Sequence, residues 1–457
     1  MTPAPASSAS PARGGLLRAV LTLVAGGAVA QALPLLLGPW LTRLYSPQQF
    51  GIYHLFAAVS ANLAVVACAR YEFALPLVGD DADARALRAL CLRVLAGVTL
   101  ASAVAAAIWF AVGGAGWTAW LPVAVGVLGL LSLATLWATR AQAYRTLAIA
   151  RIVQYGGASL AQAGAALMGA GVQGLIVAPI AAAAAAAAML RMPLRDAHTA
   201  QGIDPPTPRW RELARRFRDF PLLNTPHAFM GALQDTAAIG LIAAWQGPVA
   251  AGFWGLSLRY LKAPATLVGG AVSQALYPQL AAHGGAGADP HAPLRVTREG
   301  RAAVRRVMAG LALIALPLVL VLFAFAPWGF ERLFGASWRG AGELARTLAL
   351  YIGVHFVAAP LAVVTLAWGA QAWALRLALV GQVAFVVALA AGLKLGGLDG
   401  AGWGVSIAMV LYFGYYFVRL ATWPLGPAAG GGEAVSAEQQ GGAAPDAPLS
   451  NNERGLA

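Results

Sequence analysis

Three charged residues stand inside long apolar stretches of this sequence, where ionisable side chains are rare. Asp235 lies within GALQDTAAIGLIAAW, and Arg259 and Lys262 lie within AGFWGLSLRYLKAPATLVGG. A charge removed from water is costly, so such residues usually pair with one another or line a polar cavity. One carboxylate and two cations leave a surplus positive charge. The combination predicts a cavity that binds an anion.

The spacing of these residues about a predicted turn places them near one depth. Gly247-Pro248 is the turn, and Asp235 and Arg259 each lie twelve residues from Gly247. That separation is about 18 Å along a helix at 1.5 Å per residue. Lys262 follows one turn later on the same face as Arg259. The alternative interpretation is that Asp235 and Arg259 only neutralise each other and align two helices.

Weaker polar candidates lie in other apolar stretches. Gln31, Asn224 and Gln274 could line the same cavity or bridge helices by hydrogen bonds. Prolines within the stretches predict kinks of the kind that permit rocking motions. These are Pro34, Pro221, Pro264 and Pro360.

The elements that must position these residues are membrane-spanning helices. Of 457 residues, 59% are hydrophobic and only 11% charged, whereas soluble domains carry about 25% charged residues. Apolar stretches of roughly 20 residues match the hydrocarbon thickness, and in lipid they must be helical because every backbone polar group needs an internal partner. Twelve segments are predicted, at 16–41, 50–69, 87–112, 117–138, 147–168, 171–190, 221–245, 248–281, 304–328, 342–367, 371–393 and 401–422.

The basic residues alternate between connections. The odd-numbered connections carry only a few, which are Arg43, Arg332, Arg339, Arg346 and Lys394. The even-numbered connections and the termini carry nearly all the others. The positive-inside rule therefore predicts a multi-pass protein of the bacterial inner membrane with both termini in the cytoplasm.

A long connection after the sixth segment divides the chain into two blocks of six helices. We predict an all-α integral membrane fold with an N-lobe, 16–190, and a C-lobe, 221–423, joined by a cytoplasmic linker, 191–220. Two such lobes are typical of secondary transporters, whose substrate sites lie between the halves. The terminal segments 1–15 and 424–457 are polar and low in complexity, so we expect disorder.

Several function classes are disfavoured. The sequence has no P-loop, HExxH, CxxC or GxSxG motif, and no long polar loop on the non-cytoplasmic side that could hold acid–base residues. No catalytic residue, metal site or cofactor is predicted, and the chain is interpreted as a transporter rather than an enzyme. The net charge of +13 does not indicate nucleic-acid binding, because the basic residues lie between apolar segments where they orient the protein.

Four segments resemble one known family. Thr42 to Tyr53 reads TRLYSPQQFGIY, the segment from Arg70 reads RYEFALP, and FPLLNTP opens the second half. The region around Arg259 also matches at separate positions, which are Gly252, Arg259, Pro264, Gly269, Ser273, Gln274, Tyr277 and Pro278. The chain thus resembles the Wzx-type lipid-linked oligosaccharide flippases of polysaccharide and O-antigen biosynthesis, in the MOP superfamily.

The resemblance implies a function. Undecaprenyl-diphosphate-linked units of O-antigen lipopolysaccharide, capsule or exopolysaccharide would cross from the cytoplasmic to the periplasmic leaflet. Membrane lipids and other polysaccharide assembly proteins are the implied partners, and coupling to H⁺ or Na⁺ is left open. The predicted substrate-binding set joins residues from the resembling segments to the cavity candidates: Arg259, Lys262, Asp235, Arg70, Glu72, Arg43, Gln31, Asn224 and Gln274. The alternatives are a drug or metabolite exporter of the same superfamily and a membrane enzyme of glycan assembly.

Overall fold

A computed structural model describes residues 13–190, 209–284 and 296–425. In these ranges the chain is almost entirely helical. The α-helices are α1 (Arg13–Leu44), α2 (Pro47–Val66), α3 (Asp81–Ala111), α4 (Leu121–Arg140), α5 (Tyr144–Ile152), α6 (Ala158–Leu167), α7 (Gly171–Met189), α8 (Arg209–Arg216), α9 (Thr225–Leu261), α10 (Ala263–Gly284), α11 (Arg298–Phe334), α12 (Arg339–Thr347), α13 (Ala349–Ala367) and α14 (Gln371–Ala421). Short 3₁₀ turns cover Tyr71–Leu77, Gly116–Trp120 and Ala336–Trp338, and π turns cover Val153–Gly157 and Phe220–Asn224.

The prediction of twelve spans in two lobes of six is confirmed. Eight helical stretches in the described residues are long and apolar enough to cross a membrane. Two of them reverse direction, at Gly247 in α9 and at Gly396-Gly397 in α14, where the backbone leaves helical geometry. Gly247 and Gly397 have φ of 83° and 59°, values that glycine adopts without a steric penalty. The two reversals turn the eight stretches into ten spans. The helix α1 and the segment formed by α5 and α6 add two more, which makes twelve.

Of the four prolines predicted to kink the spans, two lie at helix ends and two lie inside continuous helices. Pro264 follows the break between α9 and α10, and Pro221 lies in the π turn before α9. The helices α1 and α13 continue through Pro34 and Pro360. Two of the four predicted prolines therefore lie at helix ends in the seventh and eighth spans, which contain Asp235, Arg259 and Lys262.

The linker between the lobes is anchored to the N-lobe. Trp210 and Leu213 of α8 pack into the core cluster formed by α2, α3 and α4. The guanidinium of Arg93 lies 4.8 Å from the Trp210 ring centroid, and the Tyr71 hydroxyl donates to the Ala214 carbonyl at 3.3 Å. This short helix therefore belongs physically to the first lobe, although it precedes the second.

The two lobes touch directly where α1 ends and α2 begins, a region named the closed end below. The buried Trp338 indole donates to the Thr42 carbonyl at 3.0 Å, and its ring meets Phe50 edge-on at 5.2 Å. A Cβ on Gly252 would overlap the Pro47 carbonyl oxygen. The lobes thus meet here at backbone distance.

Some predicted boundaries lie outside the described residues. These are the terminal segments up to residue 12 and from 426, and the linker portion 191–208. Within the described chain, α1 begins at Arg13, and the last helix ends at Ala421.

The orientation in the membrane stays a prediction, and fusions test it. Alkaline phosphatase folds only outside the cytoplasm, so fusions at the non-cytoplasmic turns should be active and those at the basic connections inactive. The active fusions should follow Gly113, Gly171, Gly247 and Gly397, and the inactive ones Arg85, Arg216 and Arg301. Phosphatase activity at Arg216 in a stably expressed fusion would contradict the orientation.

Candidate functional site

A cavity of about 650 Å³ lies between the two lobes. The N-lobe contributes α1, α2 and the π turn at residues 153–157, and the C-lobe contributes the seventh and eighth spans. The cavity begins about one helical turn beyond the closed end, since its α2 lining starts at Tyr53. Its polar lining consists of Gln31, Tyr53, His54, Asn62, Tyr155, Asp235, Thr236, Arg259, Lys262 and Thr266.

A helix end explains how two cations can face this cavity. Pro264 lacks the N–H that would continue the helical hydrogen-bond series, and α9 ends at Leu261 with Lys262 as its C-cap. The Lys262 N–H still bonds to the Leu258 carbonyl at 3.0 Å. Arg259 lies in the last turn of α9. The Thr266 N–H in turn bonds to the Lys262 carbonyl at 3.1 Å, so Arg259 and Lys262 stay about one helical turn apart on the side of the eighth span that lines the cavity.

The charges in the cavity form no close ion pair. Among the described residues, neither the Arg259 guanidinium nor the Lys262 ammonium lies within 4.0 Å of a carboxylate. The Lys262 Nζ atom lies 5.9 Å from the Tyr351 ring centroid, and Arg259 lies beside His54. The Asp235–Arg259 pair considered from the sequence is not formed, and the two cations outnumber the one carboxylate of the lining.

The structure brings four of the nine predicted site residues into this cavity. They are Gln31, Asp235, Arg259 and Lys262. Their role in binding stays a prediction. His54 and Asn62 also line the cavity but were not among the predicted residues. The small residues between them on α2, Ala57, Ala58 and Ala61, are the signal that could have revealed this face.

The other five predicted residues lie elsewhere. Arg43 is exposed at the end of α1, and Gln274 is exposed on α10. Asn224 lines a separate C-lobe cavity of about 760 Å³ with Asp219 and His227. That cavity is larger than the central one, but no Lys or Arg lines it. Volume alone therefore does not identify an anion site, and we base the assignment on charge.

Arg70 and Glu72 lie in the N-lobe core near its surface rather than between the lobes. Arg70 has φ of 60°, and this left-handed turn directs the next residues back into the lobe. Glu72 is 3% exposed and accepts a hydrogen bond from Ser132 at 3.4 Å. The Arg70 guanidinium lies 4.5 Å from the Phe73 ring centroid. These two residues do not line the central cavity, because of a reversal that sequence spacing does not show, and their role in binding stays a prediction.

Burial raises the pKa of the Glu72 carboxyl above its ordinary value of 4.5, although its backbone hydrogen bond, Arg70 and Ser132 act in the opposite direction. The folded protein therefore binds this proton more tightly than the unfolded chain, and its stability falls as pH rises through the interval above 4.5. Glu72→Gln should raise the unfolding temperature at pH 8 by a few degrees, and the gain should vanish near pH 4.5.

Scanning fluorimetry of the detergent-purified protein measures this difference. Glu331→Gln is the matched control, because Glu331 is 40% exposed and pairs with Arg339 at 2.7 Å. The control should show no gain that grows with pH. A Glu72→Gln difference that is constant across pH would contradict the assigned cause.

Comparisons with known proteins agree with this architecture. A family model described as polysaccharide biosynthesis protein matches residues 40–343, most of the chain. An inward-facing multidrug resistance MATE family transporter of the MOP superfamily matches with a TM-score of 0.57 at 13% identity, covering 92% of this chain and 96% of that one. The lipid II flippase MurJ, in an inward closed conformation, matches with a TM-score of 0.59 at 9% identity, covering 86% and 89%. No curated protein matches the chain by sequence. At these identities the structural likeness concerns the fold alone.

Proposed function

Because the chain belongs to the polysaccharide biosynthesis protein family and has the fold of MOP-superfamily transporters, we propose that it is a flippase for lipid-linked oligosaccharides. Its substrate would be an oligosaccharide repeat unit on undecaprenyl diphosphate, moved from the cytoplasmic to the periplasmic leaflet by alternating access between the lobes. The observation that carries the proposal is Arg259, a cation in the cavity between the lobes that has no carboxylate partner in the described part of the chain.

The charge balance favours an anionic head group. Arg259 and Lys262 outweigh Asp235 in the cavity lining. Hydrogen bonds from a guanidinium to phosphate oxygens are about twice as strong as neutral ones and can be bidentate. A diphosphate would accept hydrogen bonds from the Arg259 guanidinium. This contact would offset the free energy that the diphosphate loses when it leaves water.

The cavity size favours division of the substrate between protein and lipid. Sites for small ligands commonly measure about 300–1,000 Å³, and a cavity of about 650 Å³ falls in that range. A diphosphate and its first sugars match such a volume, while a long polyprenyl chain does not. The chain would therefore stay in the bilayer as the head group passes between the lobes.

Two other functions make different demands on the cavity. An exporter of cationic drugs needs uncompensated carboxylate, but Asp235 shares the cavity lining with two cations, Arg259 and Lys262. A membrane enzyme of glycan assembly needs an acid–base pair, and the cavity lining has only one carboxylate. Both alternatives have less support than anion translocation, and we assign no catalytic residue.

The cellular setting follows from this proposal. The protein would reside in the bacterial inner membrane with both termini in the cytoplasm, beside the enzymes that build and polymerise the repeat unit. Movement against a gradient would be coupled to H⁺ or Na⁺. The O-antigen of lipopolysaccharide, capsule and exopolysaccharide are the candidate products.

Reconstituted transport tests the proposal. Purified full-length protein in liposomes should move a fluorescent undecaprenyl-diphosphate-linked oligosaccharide between leaflets faster than protein-free liposomes do, as measured by dithionite quenching. A cationic dye should not be exported by the same liposomes. Dye export without lipid movement would instead identify a drug exporter, and cleavage or elongation of the glycan would identify an enzyme.

A further inference from the structure

The N-lobe side of the central cavity is built from one face of α2. Its polar residues are His54 at one end and Asn62 at the other, with Ala57, Ala58 and Ala61 between them. Eight residues of helix separate the polar ends, or about 12 Å. We name these five residues the α2 wall. It has no charged residue and faces the cations on the eighth span.

Each polar residue of the α2 wall has one buried side-chain nitrogen without a hydrogen-bond partner among the described residues. Asn62 is 3% exposed, and its side-chain nitrogen has no acceptor among the described residues. The His54 Nε2 atom is likewise buried and unpartnered. Buried polar groups are nearly always paired, because leaving one unpaired destabilises the fold. Two such atoms on one cavity wall indicate groups that a ligand satisfies.

The packing of His54 places the start of this wall beside the cation. Gly255 lies against the imidazole, and a Cβ there would overlap the ring. The absence of a side chain at Gly255 lets His54 approach the eighth span, where it lies next to Arg259. A ligand whose anionic group contacts Arg259 would therefore have its adjoining atoms along α2.

The chemistry of the wall fits a neutral, hydroxyl-rich group. Imidazole and carboxamide both donate and accept hydrogen bonds without adding charge. The three alanines between them leave room for a ring. A site that hydrogen-bonds a neutral substrate in this way discriminates strongly against analogues that lack the bonding groups.

We infer that the α2 wall binds the first sugars of the lipid-linked oligosaccharide, with His54 nearer the diphosphate and Asn62 farther along the glycan. This inference rests on the proposed function. It divides recognition between the lobes: the C-lobe cations bind the diphosphate common to all such lipids, and the N-lobe wall binds the glycan.

Two lipid probes separate these contributions. The first is undecaprenyl diphosphate without sugar, and the second is the lipid-linked oligosaccharide extracted from membranes of the producing bacterium lacking this gene. Native mass spectrometry of the purified full chain gives relative affinities. Wild type should prefer the second probe by about tenfold or more, the effect of roughly one or two hydrogen bonds. Asn62→Leu should lose that preference and keep its affinity for undecaprenyl diphosphate.

Ser60→Ala is the matched control. Ser60 is also a buried, unpartnered polar residue of α2, at 2% exposure, but it is not part of the cavity lining. Its substitution should leave the preference unchanged. His54→Phe should reduce the preference as Asn62→Leu does, which provides a second test if Asn62→Leu does not fold.

The outcomes are distinct. An unchanged preference in folded Asn62→Leu and His54→Phe proteins would overturn the inference, as would equal losses in Ser60→Ala. Failure of wild type to bind either probe would instead overturn the proposed function. Binding of undecaprenyl diphosphate without any preference for the glycan would overturn the sugar site alone.

Discussion

Arg259→Ala should abolish oligosaccharide export while the protein remains inserted in the membrane. Removing one member of a buried, charged contact costs roughly 2–5 kcal/mol, so the initial rate of lipid movement in proteoliposomes should fall by about a hundredfold. Arg259→Lys should keep partial activity, because lysine retains the charge but loses the bidentate geometry suited to phosphate. An immunoblot of the membrane fraction establishes that insertion is unchanged.

The competing explanation is that Arg259 is present only to balance charge in the protein. It predicts that the double variant Asp235→Asn with Arg259→Gln will be active, since removal of both charges leaves neither of them unpaired. The structure already argues against direct pairing, because among the described residues no carboxylate lies within 4.0 Å of Arg259. Wild-type export by that double variant would refute a substrate-binding role for Arg259.

Gly252→Val should also abolish export, by a different mechanism. At the closed end Gly252 faces the Pro47 carbonyl, and Gly51 faces the Pro248 carbonyl, at distances that leave no room for a Cβ. Backbone atoms cannot move aside as a flexible side chain can, so the two lobes must separate here. A transporter that cannot close one end cannot alternate, and we expect at least a tenfold loss of export.

Cysteine labelling measures the separation. Thr42 is 3% exposed at the closed end, so Thr42→Cys should react slowly with an impermeant maleimide in otherwise wild-type protein and rapidly when combined with Gly252→Val. The native Cys68 and Cys91 are buried. Gly240→Val is the control, since a Cβ at Gly240 meets nothing within 4 Å. Equal labelling with and without Gly252→Val would contradict this account of the closed end.

The number of spans and the depth of the charges followed from the sequence because both depend on distances along the chain. Hydrocarbon thickness fixes span length, and helical rise fixes how far a residue lies from a turn. The predicted turn at Gly247 is present, with φ of 83°, and Asp235 and Arg259 line one cavity on either side of it. The family was also recognisable, because its short motifs are local in sequence.

The partners of the charges could be found only from the tertiary structure. The alternative in which Asp235 and Arg259 neutralise each other rested on their equal distance from Gly247, which fixes depth along the helices. In the structure Asp235, Arg259 and Lys262 line one cavity, yet among the described residues neither cation lies within 4.0 Å of Asp235. The lateral packing of the helices sets these distances, and the spacing along the chain does not.

Which residues line the cavity could also be found only from the folded structure. Glu72 and His54 both precede the third span, yet the left-handed turn at Arg70 takes Glu72 into the N-lobe core, and Gly255 of the other lobe admits His54 to the interface. The position of Glu72 depends on a local turn and on Ser132, 60 residues away, whereas that of His54 depends on a contact with a segment about 200 residues away. Hydropathy fixes position along the membrane normal, whereas the packing of the two lobes decides which side chains share the cavity, since close packing depends on the shapes of both surfaces.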